Sequence, residues 1–238
     1  MKSLNCPNCG AVLSAKNIKH DIASCEYCGT SFRIPKSLTP EPDIGDLLLG
    51  ADFSSNLMPG WQLFNEDKLT FHKGKPNEMR AKITPKKDEA FYLMKSSGLL
   101  DDFDVSVTLR FTEGKLDMTR AGFYVRFSDD GGYTVLVSAI SSYQVGVFTK
   151  DKEGNKLVWN KILPWTSHTA LKKGFNESNR LRLICNGTQF RLYFNGVLAA
   201  SFKDSTWASG KLCLAVDPFD GDGGFALSDL QVREVPKK

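Results

Sequence analysis

The sequence predicts an all-β protein, a small cysteine-held ribbon followed by a large two-sheet antiparallel sandwich. Three observations predict it. Two Cys-x-x-Cys pairs lie near the N-terminus, apolar and polar residues alternate strictly through the middle of the chain, and Asn-Gly or Asp-Gly signals separate the alternating runs. Side chains of a strand project to opposite faces with period two, so alternation marks a strand with one face in a core. No segment of useful length carries an apolar stripe at the 3.6-residue helical period, and helix is a minor component at most.

The ribbon comes first. Cys6-Pro7-Asn8-Cys9-Gly10 and Cys25-Glu26-Tyr27-Cys28-Gly29 have the pair separation of a zinc ribbon. In each pair two thiolates project from one tight turn, and the glycine after the second cysteine lets the backbone turn with positive φ. Cys6, Cys9, Cys25 and Cys28 together would close a tetrahedral Zn²⁺ site with no position left for water or substrate, so the metal is structural. A thioredoxin-type redox site uses a single pair beside a βαβ unit, which this pattern lacks. Iron in the same tetrahedral sulfur site is the alternative that ligand type leaves open. A ribbon over residues 1–36 is too small for a core of its own, and structural zinc would supply about 10–16 kcal/mol of its folding free energy.

Residues 37–47, with Pro40 and Pro42, read as a linker. Residues 48–238 are long enough for one large β-domain. Of the +4 formal charge, residues 1–40 hold five Lys/Arg against two Asp/Glu, and the remainder holds 26 against 25. A zinc ion with four thiolates carries −2 and nearly cancels the excess on the ribbon, so charge gives no indication of nucleic acid. The uncharged stretch from Gly131 to Thr149 is broken by polar residues and alternates on both sides of Ser141-Ser142. It reads as two strands and a turn, not a membrane span. No apolar leader run opens the sequence at Met1-Lys2-Ser3-Leu4, and with the free thiols Cys185 and Cys213 the expectation is a cytoplasmic protein.

The sandwich strands follow in order. Phe103 to Phe111 is apolar at odd positions and polar at even ones. Gly122 to Phe127 repeats the device, and Asp129-Asp130-Gly131-Gly132 turns the chain into Tyr133 to Val137. Leu181, Leu183 and Cys185 alternate with Arg180, Arg182 and Ile184; Asn186-Gly187 and Asn195-Gly196 are type I′ hairpin signals on either side of Phe190, Leu192 and Phe194.

These residues also carry a resemblance. Lys172-Lys173-Gly174, Asn179 to Leu183, Asn186-Gly187, Leu192 to Gly196 and Ser209 to Leu212 resemble the second half of concanavalin A-like domains, a jelly-roll group that includes laminin G-like modules and keto-disaccharide hydrolase-like domains. Asp52-Phe53-Ser54 with Gly60-Trp61 resembles their opening, and Phe225 to Val232 their closing strand. The resemblance covers roughly residues 50–235 and implies a β-sandwich with carbohydrate-related function; a short zinc ribbon before such a sandwich is similar to the organisation of certain bacterial proteins. Cys213 stands where such domains place glycine.

For function, the sequence favours binding over catalysis. Glycosidases on this fold place paired carboxylates on one strand in an E-x-D-x-x-E run or a close variant, and no such run is present. The acids cluster in turns, at Asp101-Asp102, Asp129-Asp130 and Asp217 to Asp222. His20, His72 and His168 stand alone, and Trp165 and Trp207 read as core or edge residues. The expected binding surface is a strand face carrying Arg110, Tyr124, Arg126, Arg191 and Tyr193, whose rings and guanidinium groups suit a glycan or a polypeptide. A protein partner is expected for the ribbon. A divergent carbohydrate-active enzyme is the alternative. Asp217, Asp220 and Asp222 offer oxygen ligands of the kind Ca²⁺ takes, although an acidic Asp/Gly turn needs no metal to explain it. Residues 46–238 alone are expected to express as a stable all-β protein, as judged by circular dichroism and a cooperative melt; insoluble or molten material would place the ribbon in the same core.

Overall fold

The structure, a computed structural model, describes residues 6, 8–13, 18–19, 22–33, 45–51, 53, 61–63, 69–73, 78–83, 91–95, 98–154, 156–218 and 221–235. Strands β1 (Ile18–Lys19), β2 (Ile22–Ser24) and β3 (Ser31–Arg33) form the small antiparallel sheet of the ribbon. The linker expected at 37–47 lies outside the described residues as far as 44. At its end β4 (Leu47–Ala51) already pairs with the last strand of the chain, and the Glu234 N–H donates to the Asp46 carbonyl at 2.9 Å.

The remaining strands form two antiparallel sheets. The seven-stranded sheet runs in the order β13 (Leu157–Ser167), β12 (Ser142–Lys150), β11 (Gly131–Ser138), β10 (Thr119–Ser128), β17 (Lys211–Pro218), β8 (Phe91–Lys95), β5 (Trp61–Leu63). The eight-stranded sheet runs β16 (Val197–Lys203), β15 (Gln189–Phe194), β14 (Ser178–Asn186), β9 (Phe103–Glu113), β18 (Gly223–Arg233), β7 (Glu78–Ile83), β6 (Leu69–Lys73), with β4 beside the later part of β18. Successive strands β9 and β10 lie in different sheets, as do β17 and β18, so the chain wraps around the core as a jelly roll. There is no helix among the described residues, and none long and apolar enough to cross a membrane.

The alternation explains the core. Phe103, Val105, Val107 and Leu109 of β9 are at most 1 % exposed and join Phe123, Val125, Val135 and Val137 of the other sheet in one cluster. The uncharged stretch is β11, a turn through Ser141 at φ 67°, and β12, as its pattern predicts. Asn195 and Gly196 both take positive φ in the β15–β16 turn, which the type I′ geometry demands. The preceding hairpin closes one residue later than read. Asn186 pairs with Gln189, and the loop is Gly187-Thr188 with the positive φ on Gly187.

Where alternation breaks, the fold acquires its most heavily bonded side chain. A bulge in β10 interrupts its register with both neighbours between Tyr124 and Ser128, and Arg126 takes φ 49° there. The extra residue turns Arg126 inward, to 2 % exposure, instead of leaving it beside Tyr124 on the outer face. All five of its N–H donors are used. Nε and Nη2 donate to the Asp101 carbonyl at 2.9 and 2.8 Å, and Nη2 also to Asp102 Oδ1 at 3.2 Å. Nη1 donates to the Gly187 and Trp207 carbonyls at 2.9 and 3.0 Å, and the guanidinium lies 5.1 Å from the Phe190 ring centre. Gly210 permits the approach: a Cβ there would sit 2.2 Å from the Arg126 carbonyl carbon. Arg126→Ala is expected to lower stability by about 3–5 kcal/mol, because three backbone carbonyls lose their donors at once and a buried side chain leaves a cavity. Arg126→Lys should recover only part of it, since an ammonium cannot span three segments; a urea melt of each variant measures both.

Candidate functional site

The four ribbon cysteines come together. Their Sγ atoms all lie within 4.8 Å of one another, with Cys6–Cys28 and Cys9–Cys25 each at 3.6 Å. Four sulfurs about 2.3 Å from a common centre stand a little under 4 Å apart, so the spacing fits a tetrahedral metal. It is too long for a disulfide, and all four thiols are free. The two turns are near copies. Gly10 N–H donates to the Cys6 carbonyl and Gly29 N–H to the Cys25 carbonyl, both at 2.9 Å, with φ of 75° and 71° at the glycines. Thr30 supports the set, its hydroxyl oxygen 3.2 Å from Cys28 Sγ.

The expected binding face on the sandwich does not form. Arg126 is inside the molecule. Tyr124 lies on the outer face of the seven-stranded sheet, 4 % exposed against Leu136, Cys213 and Ala215. Arg110, Arg191 and Tyr193 share the outer face of the eight-stranded sheet, but Tyr193 is 5 % exposed beneath Arg182. The period-two reading assumed unbroken strands on one sheet, whereas β10 belongs to the opposite sheet and carries the bulge.

The acidic loop is likewise divided. Asp217 reaches Arg120 at 3.4 Å and Asp222 reaches Lys82 at 3.8 Å, so the two described acids each meet a cation of the chain; Asp220 lies outside the described residues. His168 is half-buried against Tyr143 and Phe194, and burial lowers its pKa. His72 falls on β6 with its side chain outside the described set, as is His20. Trp207 is structural, its indole N–H donating to the Phe148 carbonyl at 2.8 Å.

Instead, one concave site lies on the outer face of the seven-stranded sheet. Register places Asp217, Arg120 and Ser138 side by side across β17, β10 and β11, and Ser142 and Ser167 side by side across β12 and β13. Ser138 and Ser142 join the two sets, hydrogen-bonded hydroxyl to hydroxyl at 2.7 Å. Arg120, Ser138 and Ser142 floor a cavity of about 300 Å³ walled by Trp165, Ile140, Met118 and Asp117. Trp165, on the edge strand β13, is 39 % exposed, and Arg120 stacks 5.8 Å from its ring centre. The Arg120 and Asp217 side chains are only 15 % and 16 % exposed. An open indole face, a paired guanidinium and carboxylate, and two hydroxyls can stack on a sugar ring and both donate to and accept from its hydroxyls. Trp165, expected as a core or edge residue, lies on the edge strand β13 and lines the cavity. Arg120 was not singled out, although it falls in step with Gly122 and Tyr124 on the polar side of its strand.

The model of the 3-keto-alpha-glucoside-1,2-lyase-like domain matches residues 55–223, well over half of the chain. The chain belongs to that family. The 3-keto-alpha-glucoside-1,2-lyase-like domain spans most strands of both sheets and the whole described cavity lining. A carbohydrate-binding module, CBM66 from Bacillus subtilis, is 17 % identical, with a TM-score of 0.51 over 74 % of this chain and 97 % of its own. A Bacillus subtilis protein of unknown function with a galectin-like fold is 11 % identical, with a TM-score of 0.55 over 82 % and 99 %. LamAcat from Zobellia galactanivorans is 10 % identical, with a TM-score of 0.54 over 79 % and 98 %. At these identities the likeness is one of fold. No curated protein sequence matches this chain.

Proposed function

We propose that the sandwich is a glycan-recognition domain whose site is the Trp165–Arg120 cavity. The observation that carries the reading is the stacking of Arg120 on Trp165 above a floor of serine hydroxyls, with Asp217 balancing the guanidinium charge. Such a site holds a ring by its face and reads its hydroxyls, and about 300 Å³ suits a short saccharide rather than a long chain section. Family membership and the carbohydrate-binding module among the fold relatives support the same reading. Calorimetric titration with a panel of mono- and disaccharides should find a ligand. Trp165→Ala should then weaken it about tenfold or more, at an unchanged melting temperature. A panel without a single binder, or a binder indifferent to Trp165→Ala, contradicts the site.

A second reading, bond cleavage in the same cavity, has its own observation: the exposed Asp117 carboxylate shares the cavity with Arg120, and the family is lyase-like by description. Turnover of a bound saccharide that Asp117→Asn abolishes while binding persists would establish it; binding without turnover supports recognition alone.

For the ribbon we propose zinc held by Cys6, Cys9, Cys25 and Cys28, supported by the sulfur spacing and the paired turns. Closed sulfur coordination serves the folding of the ribbon. We place the protein in a reducing, cytoplasmic compartment, where four free thiols remain available; Cys213, its thiol pushed up to about 12 by burial, is inert there. Metal analysis should find about one zinc per chain, and Cys25→Ser should release it while the sandwich melt is unchanged. Iron in its place, or no metal at all, would refute the assignment.

A further inference from the structure

The outer face of the eight-stranded sheet, opposite the saccharide cavity, is built from arginine. Odd positions of β9 and β14 fill the core, so even ones face outward, and the register carries that face across five strands. Arg80, Ala226 and Arg110 stand in one row; Arg233, Asp104, Ile184 and Arg191 stand in another, with Arg180 and Arg182 on β14. Six arginines thus occupy a single sheet face.

Among the described residues, two of them meet an acid there. Arg110 donates through Nη2 to both Glu78 oxygens at 2.6 and 2.8 Å. Arg182 grips Asp104 through Nε at 3.0 and 3.1 Å and through Nη2 at 2.5 Å, with both side chains 3 % exposed. The ion pairs formed on this face among the described residues use these two arginines and Lys82 at its rim. Arg180 is exposed and donates to Ser106 Oγ at 3.3 Å; Arg233 is half-buried and donates to the Gly45 carbonyl and to Gln231; Arg80 and Arg191 are half-buried and enter none of the ion pairs. With strands about 4.8 Å apart, Arg191 and Arg233 are separated by roughly 14 Å across the sheet, and Arg180 lies about 13 Å along from the Arg191 row.

We propose that this arginine face docks an acidic polypeptide surface of a partner protein. Carboxylate is the chemistry the face already accepts, twice, in multidentate contacts, and four further guanidinium groups enter no ion pair among the described residues and keep donors to spare. A neutral polysaccharide would need a ring to stack on, and among the described side chains of this face the aromatic, Tyr193, is 5 % exposed beneath Arg182. A flat, arginine-rich sheet suits a protein interface, and spacings of about 13–14 Å match carboxylates shown on a folded surface or four residues apart on an extended segment. The two sheets would then serve two partners at once, a saccharide on one face and an acidic protein on the other.

Fluorescence anisotropy with labelled poly-L-glutamate and the full-length protein tests the face independently of the saccharide site. Binding is expected at 50 mM salt, weakening steeply as salt rises, and about tenfold weaker in Arg180→Ala/Arg191→Ala and in Arg80→Ala/Arg180→Ala. These side chains make one hydrogen bond between them, so unchanged melts should show both variants folded. Trp165→Ala should bind polyglutamate as the parent does, even if the saccharide reading fails. No binding at low salt, binding indifferent to both double variants, or tighter binding of polygalacturonate or duplex DNA than of polyglutamate would overturn the proposal.

Discussion

The five hydrogen bonds of Arg126 tie together segments that the strand ladders leave apart: the entry to β9 at Asp101, the β14–β15 turn at Gly187 and the approach to β17 at Trp207. A sandwich whose sheets meet mainly through apolar side chains has a core without direction. A guanidinium planted among backbone carbonyls at one end sets how the sheets are aligned, because its donors are fixed in a plane. Asp102 extends the network, accepting from Arg126 and, at 2.6 Å, from the Gly187 N–H, so the turn after β14 is held from both sides. Burying a cation is costly unless its donors are all met, and here they are.

The same bulge governs what the outer face of the seven-stranded sheet offers. Before it, β10 points Arg120, Gly122 and Tyr124 outward in step with β11 and β17, which brings Arg120 beside Ser138 and Asp217. After it the strand pairs with Lys211 and turns into β11. One strand therefore supplies Arg120 to the floor of the cavity and Arg126 to the core. Glycine keeps the face shallow: at Gly146 a Cβ would stand 2.0 Å from the Trp159 indole nitrogen, so only a residue without a side chain lets Trp159 lie across β12.

The strands were legible in the sequence because alternation is a local property. Phe103 to Phe111 and Leu181 to Cys185 could be assigned to strands, and their apolar positions to the core, from their own residues. The cluster of four cysteines was legible because Cys-x-x-Cys spacing is local as well. The binding face was not, for two physical reasons. Which sheet a strand joins is decided by pairings over long sequence separations, so Arg110 and Tyr124, both on polar faces, end up on opposite sides of the molecule. A bulge adds one residue and inverts every later side chain, and nothing in Val125-Arg126-Phe127 announces it. Burial of outward positions is a further case. Asp104 and Ser106 follow the polar half of the alternation yet are 3 % and 5 % exposed, with Arg182, arriving from β14, lying over Asp104.

Charge distinguishes the two outer faces more sharply than shape does. In the cavity Arg120 is paired with Asp217 and lies 5.8 Å from the Trp165 ring centre, while Asp117 adds a second carboxylate, so the guanidinium charge is offset on the spot. On the other sheet arginines outnumber the acids they meet among the described residues, which leaves that face with positive charge. The difference traces to which strands pair: β10 and β17 bring an arginine and an aspartate opposite one another at Arg120–Asp217, whereas β15 sets Arg191 against Ile184 and Ser201. A net charge of only +4 on the whole chain conceals this separation, since the excess on one sheet is offset by acids placed in turns elsewhere. Each sheet is thus suited to a different class of ligand by its register.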